Sequence, residues 1–82
     1  MSTANLDIRQ TVLDIAKECA EKGPGFAQSG VVLREVLSRH GLNTLSEQQK
    51  ILDAWYQLFD EKILVWGYNV DNPGPPFFHL GD

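Results

Sequence analysis

The side chains in this 82-residue sequence best suited to metal binding or nucleophilic chemistry are two histidines and one cysteine. A structural zinc site takes four ligands at characteristic spacings, and Cys19, His40 and His79 match no such pattern. We expect His40 to act as a cap or dipole partner at a helix C-terminus, and His79 to lie half-exposed in a strand. The sequence therefore predicts no metal site and no cofactor.

Acidic pairs and glycine-rich loops are the other features that could support catalysis. Asp60 and Glu61 are adjacent, so on a helix they point in different directions and do not form a working acid–base pair. The stretch GPGFAQSG, residues 23–30, lacks the lysine that follows the glycines of a phosphate-binding loop. We therefore predict that the chain is not an enzyme and has no small-molecule substrate.

Charge is unevenly distributed along the chain, whose formal net charge is -4. Residues 1–43 contain equal numbers of basic and acidic side chains. Residues 44–82 contain only Lys50 and Lys62 as basic groups against six acidic ones. Because Lys and Arg contacts to phosphates supply most nucleic-acid affinity, the C-terminal half is poorly suited to nucleic acid.

Length and composition predict a single folded domain over residues 1–82. A chain this short has interior for only one core, and its hydrophobic content of 43% with 22% charged residues is ordinary for a globular protein. Cys19 has no second cysteine to pair with, and no signal-peptide pattern is evident, which predicts a cytoplasmic protein. No apolar run approaches the roughly 20 residues of a membrane span, so membrane association is not expected.

Three helices are predicted, at about residues 6–22, 30–40 and 45–61. In the first, the apolar positions recur at helical spacing; they are Ile8, Val12, Ile15 and Cys19. We expect Asn5 to cap its start, Gly23 to end it, and Phe26 in the following loop to enter the core.

Capping signals define the other two helices. We expect Ser29 to cap the second helix at its start and Gly41 to end it. Two overlapping capping boxes precede the third helix; they are Thr44 with Glu47, and Ser46 with Gln49. A wide apolar stripe then faces the core, formed by Ile51, Leu52, Trp55, Leu58 and Phe59.

The C-terminal segment predicts a two-stranded β-hairpin at about residues 63–80. Residues 63–68 and 77–80 are rich in β-branched and aromatic residues, and NVDNPGPP between them carries turn formers and three prolines. The predicted fold class is therefore α+β.

This order of elements resembles the winged-helix superfamily. Residues 33–68, LREVLSRHGLNTLSEQQKILDAWYQLFDEKILVWGY, are similar to its helix-turn-helix and first wing strand. The tail WGYNVDNPGPPFFHL is also similar to segments of bacterial proteins of unassigned role, to which no activity attaches. The resemblance implies a three-helix, winged-helix-like domain whose hairpin is the wing.

DNA binding is one function that the resemblance implies, because members that bind DNA place the third helix in the major groove and the wing against the backbone or minor groove. Here that helix has one basic residue and four acidic ones, and the wing has no basic residue. A transcriptional regulator is therefore the alternative reading. Its candidate DNA contacts are Arg34, Arg39, Gln48, Gln49 and Lys50.

Aromatic residues favour a protein partner instead. Seven of the eight lie between Trp55 and Phe78. Trp55 and Phe59, and in one reading Trp66, belong to the core, but a strand exposes alternate residues, so some aromatics remain at the surface. Such groups are enriched at protein interfaces.

We therefore predict a protein-interaction module, either a homodimer or an adaptor. Its candidate surface comprises Tyr56, Trp66, Tyr68, Asn69, Asp71, Pro75, Pro76, Phe77 and Phe78. A purely structural domain within a larger complex is a third reading.

Overall fold

The computed structural model describes residues 7–81 and has the predicted α+β class. Three helices precede a two-stranded antiparallel sheet, an arrangement consistent with a winged-helix-like fold. The elements are α1 (Ile8–Glu21), α2 (Ser29–His40), α3 (Leu45–Asp60), β1 (Leu64–Trp66) and β2 (Phe78–Leu80).

Helix α1 begins after Asp7, whose carboxylate accepts a hydrogen bond from the Gln10 amide at 3.1 Å. The expected cap, Asn5, lies outside the described residues. The helix ends at Glu21 with Lys22 as its C-cap, and Gly23 follows with φ of +115°, a conformation that glycine adopts without strain. The apolar stripe faces the core, with Val12, Ile15, Ala16 and Cys19 buried.

Helix α2 corrects one capping prediction and confirms another. Ser29 is the first helical residue, and the cap is Gln28, whose backbone is extended and whose side-chain amide donates to the Gly25 carbonyl at 3.2 Å. Gly41 ends the helix in the left-handed conformation, as predicted.

Helix α3 starts with one capping box rather than two. The Thr44 hydroxyl accepts from the Glu47 amide at 3.1 Å, and the Glu47 carboxylate accepts from the Thr44 amide at 3.1 Å. The hydrogen bond from the Thr44 amide, together with one that the Thr44 hydroxyl donates to the same carboxylate at 3.0 Å, lowers the pKa of Glu47. The Ser46 and Gln49 box is wrong, because Ser46 already lies inside the helix that begins at Leu45.

The loop between α1 and α2 buries a different residue from the one expected. Phe26 is 47% exposed, with the Lys22 ammonium 5.6 Å from its ring centroid. Ala27 is buried instead. Its carbonyl accepts from the Phe78 amide at 3.1 Å, so the loop is held by its backbone and a small residue. The prediction that Phe26 enters the core was wrong.

Strand β2 lies in the middle of the C-terminal structure. It pairs with β1 in a register that sets Trp66 opposite Phe78 and Leu64 opposite Leu80. On its other side, Phe77 forms an isolated bridge with Gln28. The hairpin is therefore joined by hydrogen bonds to the segment that leads into α2.

The core lies where α1, α3 and the hairpin meet, with Trp55 at its centre. The Trp55 ring meets Phe78 edge-on at 5.3 Å and Phe59 at 5.0 Å. Among residues 7–81, the buried side chains are all apolar. The largest fully buried ones are Trp55, Phe78, Ile51, Leu58, Leu64, Val12, Val32 and Val36.

Candidate interaction surface

A row of apolar side chains lies on the solvent side of α3. Leu45 is 70% exposed, Tyr56 is 56% exposed, and Leu52 between them is also exposed. Spacings of seven and four residues place all three on one face of the helix. This row is separate from the buried face formed by Ile51, Ala54, Trp55 and Leu58. Helix α3 therefore carries a second apolar face, which residues 7–81 leave exposed.

An aromatic pair continues this row at the C-terminal end of α3. Phe59 follows Tyr56 by three residues, and its ring stacks on Trp66 of β1 with a centroid distance of 4.0 Å and an interplanar angle of 25°. Trp66 also meets Trp55 edge-on at 6.3 Å, which holds its ring against the core while part of it stays exposed. We call the five residues Leu45, Leu52, Tyr56, Phe59 and Trp66 the α3 face.

A shallow apolar depression adjoins the α3 face. It has a volume of about 110 Å³ and lies between α2 and α3. Leu33 and Leu37 of α2 form one wall, and Gln48, Ile51 and Leu52 of α3 form the other. The surface thus offers both protruding apolar side chains and a recess beside them.

The predicted wing surface divides into exposed and buried residues. Asn69, Asp71, Pro75 and Pro76 are exposed, and Phe77 is half-buried. Phe78 has no exposed surface and packs on Trp55, so its place in the predicted surface was wrong. Alternation along β2 explains the correction, because Phe78 points inward while its neighbours point away.

Tyr68 lies between the wing and α1. Its ring packs against the core, and its hydroxyl donates to the Ala20 carbonyl at 3.3 Å. The phenol therefore anchors the hairpin to α1, and only part of this residue remains available for a partner.

The tip of the wing is a tight turn. The Asn69 side-chain oxygen accepts from the Asn72 amide at 2.8 Å and from the Asn72 side chain at 3.0 Å. Val70 between them is 93% exposed. Asn69 thus shapes the turn, and the residue that the turn presents to solvent is Val70.

Leu45 and Val70 were not named among the exposed residues, and the prediction that Leu52 faces the core was wrong, because Leu52 is exposed. Leu45 and Leu52 could have been found from their spacing to Tyr56, because residues four and eleven positions apart share a helix face. Val70 had no comparable signal, since only the folded turn shows which of its residues points outward.

Arg39, one of the predicted DNA contacts, forms ion pairs within the fold. The Arg39 guanidinium donates to both carboxylate oxygens of Glu18, at 2.9 and 3.0 Å, and to Glu35 at 2.8 Å. These contacts raise the pKa of Arg39, and the same Arg39 hydrogen bond lowers the pKa of Glu18. Arg9, on α1, pairs with Glu61 just after α3. Two cations near the helices are therefore already neutralised within the fold.

The other predicted DNA contacts are Arg34 on α2 and three consecutive residues of α3, Gln48, Gln49 and Lys50, which point in different directions around the helix. Gln49, Lys50 and Arg34 are exposed, whereas Gln48 is half-buried at the edge of the depression. Lys50 precedes Leu52 by two residues, which at 3.6 residues per turn places it about 160° around the helix. The only basic residue of α3 therefore points away from the α3 face.

The two histidines lie in different elements, His40 in α2 and His79 in β2. His40 is exposed at the end of α2, and His79 Nδ1 lies 2.5 Å from the Gly67 carbonyl oxygen. Within residues 7–81, no three His, Cys, Asp or Glu side chains are grouped so that they could hold a metal ion. Over the same range, no helix is both long and apolar enough to cross a membrane.

Comparisons with protein-family models, curated proteins and solved structures find no match to this chain. A functional proposal therefore depends on the geometry and charge of its own residues.

Proposed function

We propose that the chain is a small, acidic winged-helix-like module that acts by protein–protein contact, with the α3 face at the centre of its binding surface. The winged-helix assignment belongs to this proposal and is supported by three helices followed by a hairpin. The observation that carries the function is the exposed apolar row Leu45, Leu52 and Tyr56 on the third helix.

The composition of the α3 face is typical of a protein interface. Interface centres are depleted in charged residues and enriched in aromatic ones, and all five residues of the α3 face are uncharged, three of them aromatic. The Phe59–Trp66 stack holds two of these rings in place before any partner arrives. A rigid aromatic group loses little conformational entropy on binding.

Charge placement favours this function over DNA binding. A DNA-binding third helix presents basic and polar side chains to the major groove and phosphates. On α3 the exposed apolar row occupies one face, and Lys50 lies on another flank. Arg39, another of the candidate DNA contacts, is held by Glu18 and Glu35. A cytoplasmic location, which suits a chain whose single cysteine is buried and free, completes the proposal.

Affinity capture with matched variants tests the function. The purified chain is immobilised and incubated with an extract of the cells that express it, alongside Tyr56→Asp and Val70→Asp. Both variants add one negative charge at an exposed position, but only Tyr56 belongs to the α3 face. We expect specific proteins, copies of the chain included, to be captured by the wild type and by Val70→Asp and lost with Tyr56→Asp.

Titration of labelled duplex DNA provides the opposing test. We expect no duplex binding even at low salt. If the wild type binds duplex and its affinity falls steeply with added salt, while Tyr56→Asp captures the same proteins as the wild type, the protein-binding proposal is wrong.

A further inference from the structure

We propose that the partner of the α3 face is a second copy of this chain, with the two α3 helices packed antiparallel around a two-fold axis at Leu52. This inference rests on the proposed function and names the partner of the same surface.

Spacing along α3 is symmetric about Leu52. Leu45 lies seven residues before it, and Phe59 lies seven residues after it. A two-fold interface brings the same patch of both subunits together. With the axis at Leu52, the two Leu52 side chains meet, and Leu45 of each copy meets Phe59 of the other. Leu45, the most exposed residue of the face, then gains an apolar surface in the Phe59–Trp66 stack.

The depression beside Leu52 fits the same arrangement. Tyr56 lies four residues after the axis, and Gln48 lies four residues before it, so the two-fold operation brings Tyr56 of one copy towards Gln48 of the other. Gln48 forms one wall of the depression with Leu52, opposite Leu33 and Leu37. A phenol can fill an apolar recess with its ring and hydrogen-bond the side-chain amide at its edge. Each copy thus supplies one protrusion and one recess.

Charge favours antiparallel over parallel packing. Helix α3 ends in Asp60, and Glu61, which follows it, is already paired with Arg9. A parallel pair would place both Asp60 carboxylates together, and like charges across an interface are costly. In an antiparallel pair, each Asp60 lies towards the N-terminus of the other α3, where the helix dipole favours negative charge and the Glu47 carboxylate is already engaged by Thr44. The contact surface between the two ends is uncharged.

The size of the surface indicates a weak dimer. A stable interface buries about 800 Å² on each partner, which exceeds what one face of a single 16-residue helix and its flanking side chains supply. We therefore expect a dissociation constant on the order of 10–100 µM.

Sedimentation equilibrium of the full chain, from about 5 to about 500 µM to bracket that dissociation constant, tests the dimer. We expect the mass to rise with concentration from the monomer value of 9.2 kDa towards twice that value. Leu52→Asp places two like charges at the axis and should remain monomeric throughout, with circular dichroism confirming that it is folded. Val70→Asp adds the same charge at the wing tip and should dimerise like the wild type. A wild-type mass of 9.2 kDa at every concentration overturns the inference.

Cysteine cross-linking tests the orientation. A disulfide requires Cα atoms within about 7 Å. In the antiparallel pair the two chains approach at residue 52, whereas the two copies of residue 45 are separated by fourteen residues of helix, about 21 Å. Leu52→Cys should therefore form a disulfide dimer on oxidation, and Leu45→Cys should not. The native Cys19 is buried and does not compete. Equal cross-linking of the two variants overturns the antiparallel arrangement.

The two proposals can fail separately. If the wild type stays monomeric but still captures proteins that Tyr56→Asp loses, the surface binds a different protein, and only the dimer is wrong. If neither dimer nor capture is seen, the proposed function fails with it.

Discussion

Replacing Phe78 with alanine should destabilise the fold, whereas replacing Phe77 should affect stability much less. The two residues are neighbours of the same type in one hairpin, yet Phe78 has no exposed surface and Phe77 is only half-buried. The pair therefore tests directly whether the inward-facing residue of β2 is the one that the structure indicates.

The magnitude follows from the packing of Phe78. Its ring lies 5.3 Å from that of Trp55, and nothing in the surrounding core is polar enough to admit water in its place. Truncating a buried Phe to Ala costs about 3–5 kcal/mol, including the cavity left behind. A domain of this length has a free energy of unfolding of roughly 4–12 kcal/mol, so Phe78→Ala removes a large part of it. For the half-exposed Phe77 we expect a loss of about 1–2 kcal/mol.

Urea unfolding followed by tryptophan fluorescence measures the loss of unfolding free energy in both variants, because Trp55 contacts Phe78 directly. With a urea dependence of about 1 kcal/mol per molar, the midpoint should fall by about 3 M or more for Phe78→Ala and by about 1–2 M for Phe77→Ala. If Phe78→Ala is unfolded without urea, Phe78→Leu, which keeps most of the volume, should give a measurable intermediate loss of about 1–2 kcal/mol.

Equal, small losses for the two alanine variants would refute this account of β2. So would a Phe78→Ala protein with the wild-type midpoint that had lost its association, because Phe78 would then be a surface contact. A loss of binding by Phe78→Ala could come from its lower stability alone, so Phe77→Ala is the better variant for testing whether the wing contacts a partner.

Three further predictions concern the backbone, one ion pair and the cysteine. Gly67→Ala should destabilise the hairpin by about 2–4 kcal/mol in urea unfolding, because Gly67 has φ of +97° and an added Cβ would lie 2.6 Å from the Pro73 carbonyl oxygen. Arg39 lowers the pKa of Glu18 from its ordinary 4.5, so this ion pair stabilises the fold above that pH and stops doing so as the pH falls through the lowered value. Arg39→Gln should therefore lose less stability than the wild type between neutral pH and acid, as measured by urea midpoints. Burial raises the pKa of Cys19, so Ellman's reagent should label it only as fast as the fold opens, and a rapid native reaction would contradict its burial.

Capping residues and helical spacing were sufficient to predict the helices. Thr44 with Glu47 and the glycine at position 41 act through local geometry, and both occur as predicted. Ser29 failed as a cap because the backbone of Gln28 is drawn into the bridge with Phe77, and that pairing starts the helix one residue earlier than the sequence pattern implies. Long-range pairing of this kind leaves no local signal.

The orientation of the side chains in the wing was harder to predict, because it depends on strand register. A shift of one residue exchanges the two faces of a strand, so Phe77 and Phe78 could not be assigned from their types alone. In the loop between α1 and α2, the large apolar residue Phe26 was expected to enter the core. The residue buried there is Ala27, whose carbonyl accepts a hydrogen bond from the Phe78 amide, and the sequence gives no local signal of this long-range contact.

Helix α3 combines two apolar faces, and the proposed function depends on the outer one. Its inner face, with Trp55 at the centre, is sufficient to attach it to α1 and the hairpin. Leu45, Leu52 and Tyr56 add nothing comparable to that core, because all three remain exposed. Exposed apolar rows on a helix favour aggregation unless a partner covers them. Since Lys50 lies on the remaining flank of α3, away from this row, the partner that best fits the row is an apolar protein surface rather than a chain of phosphates.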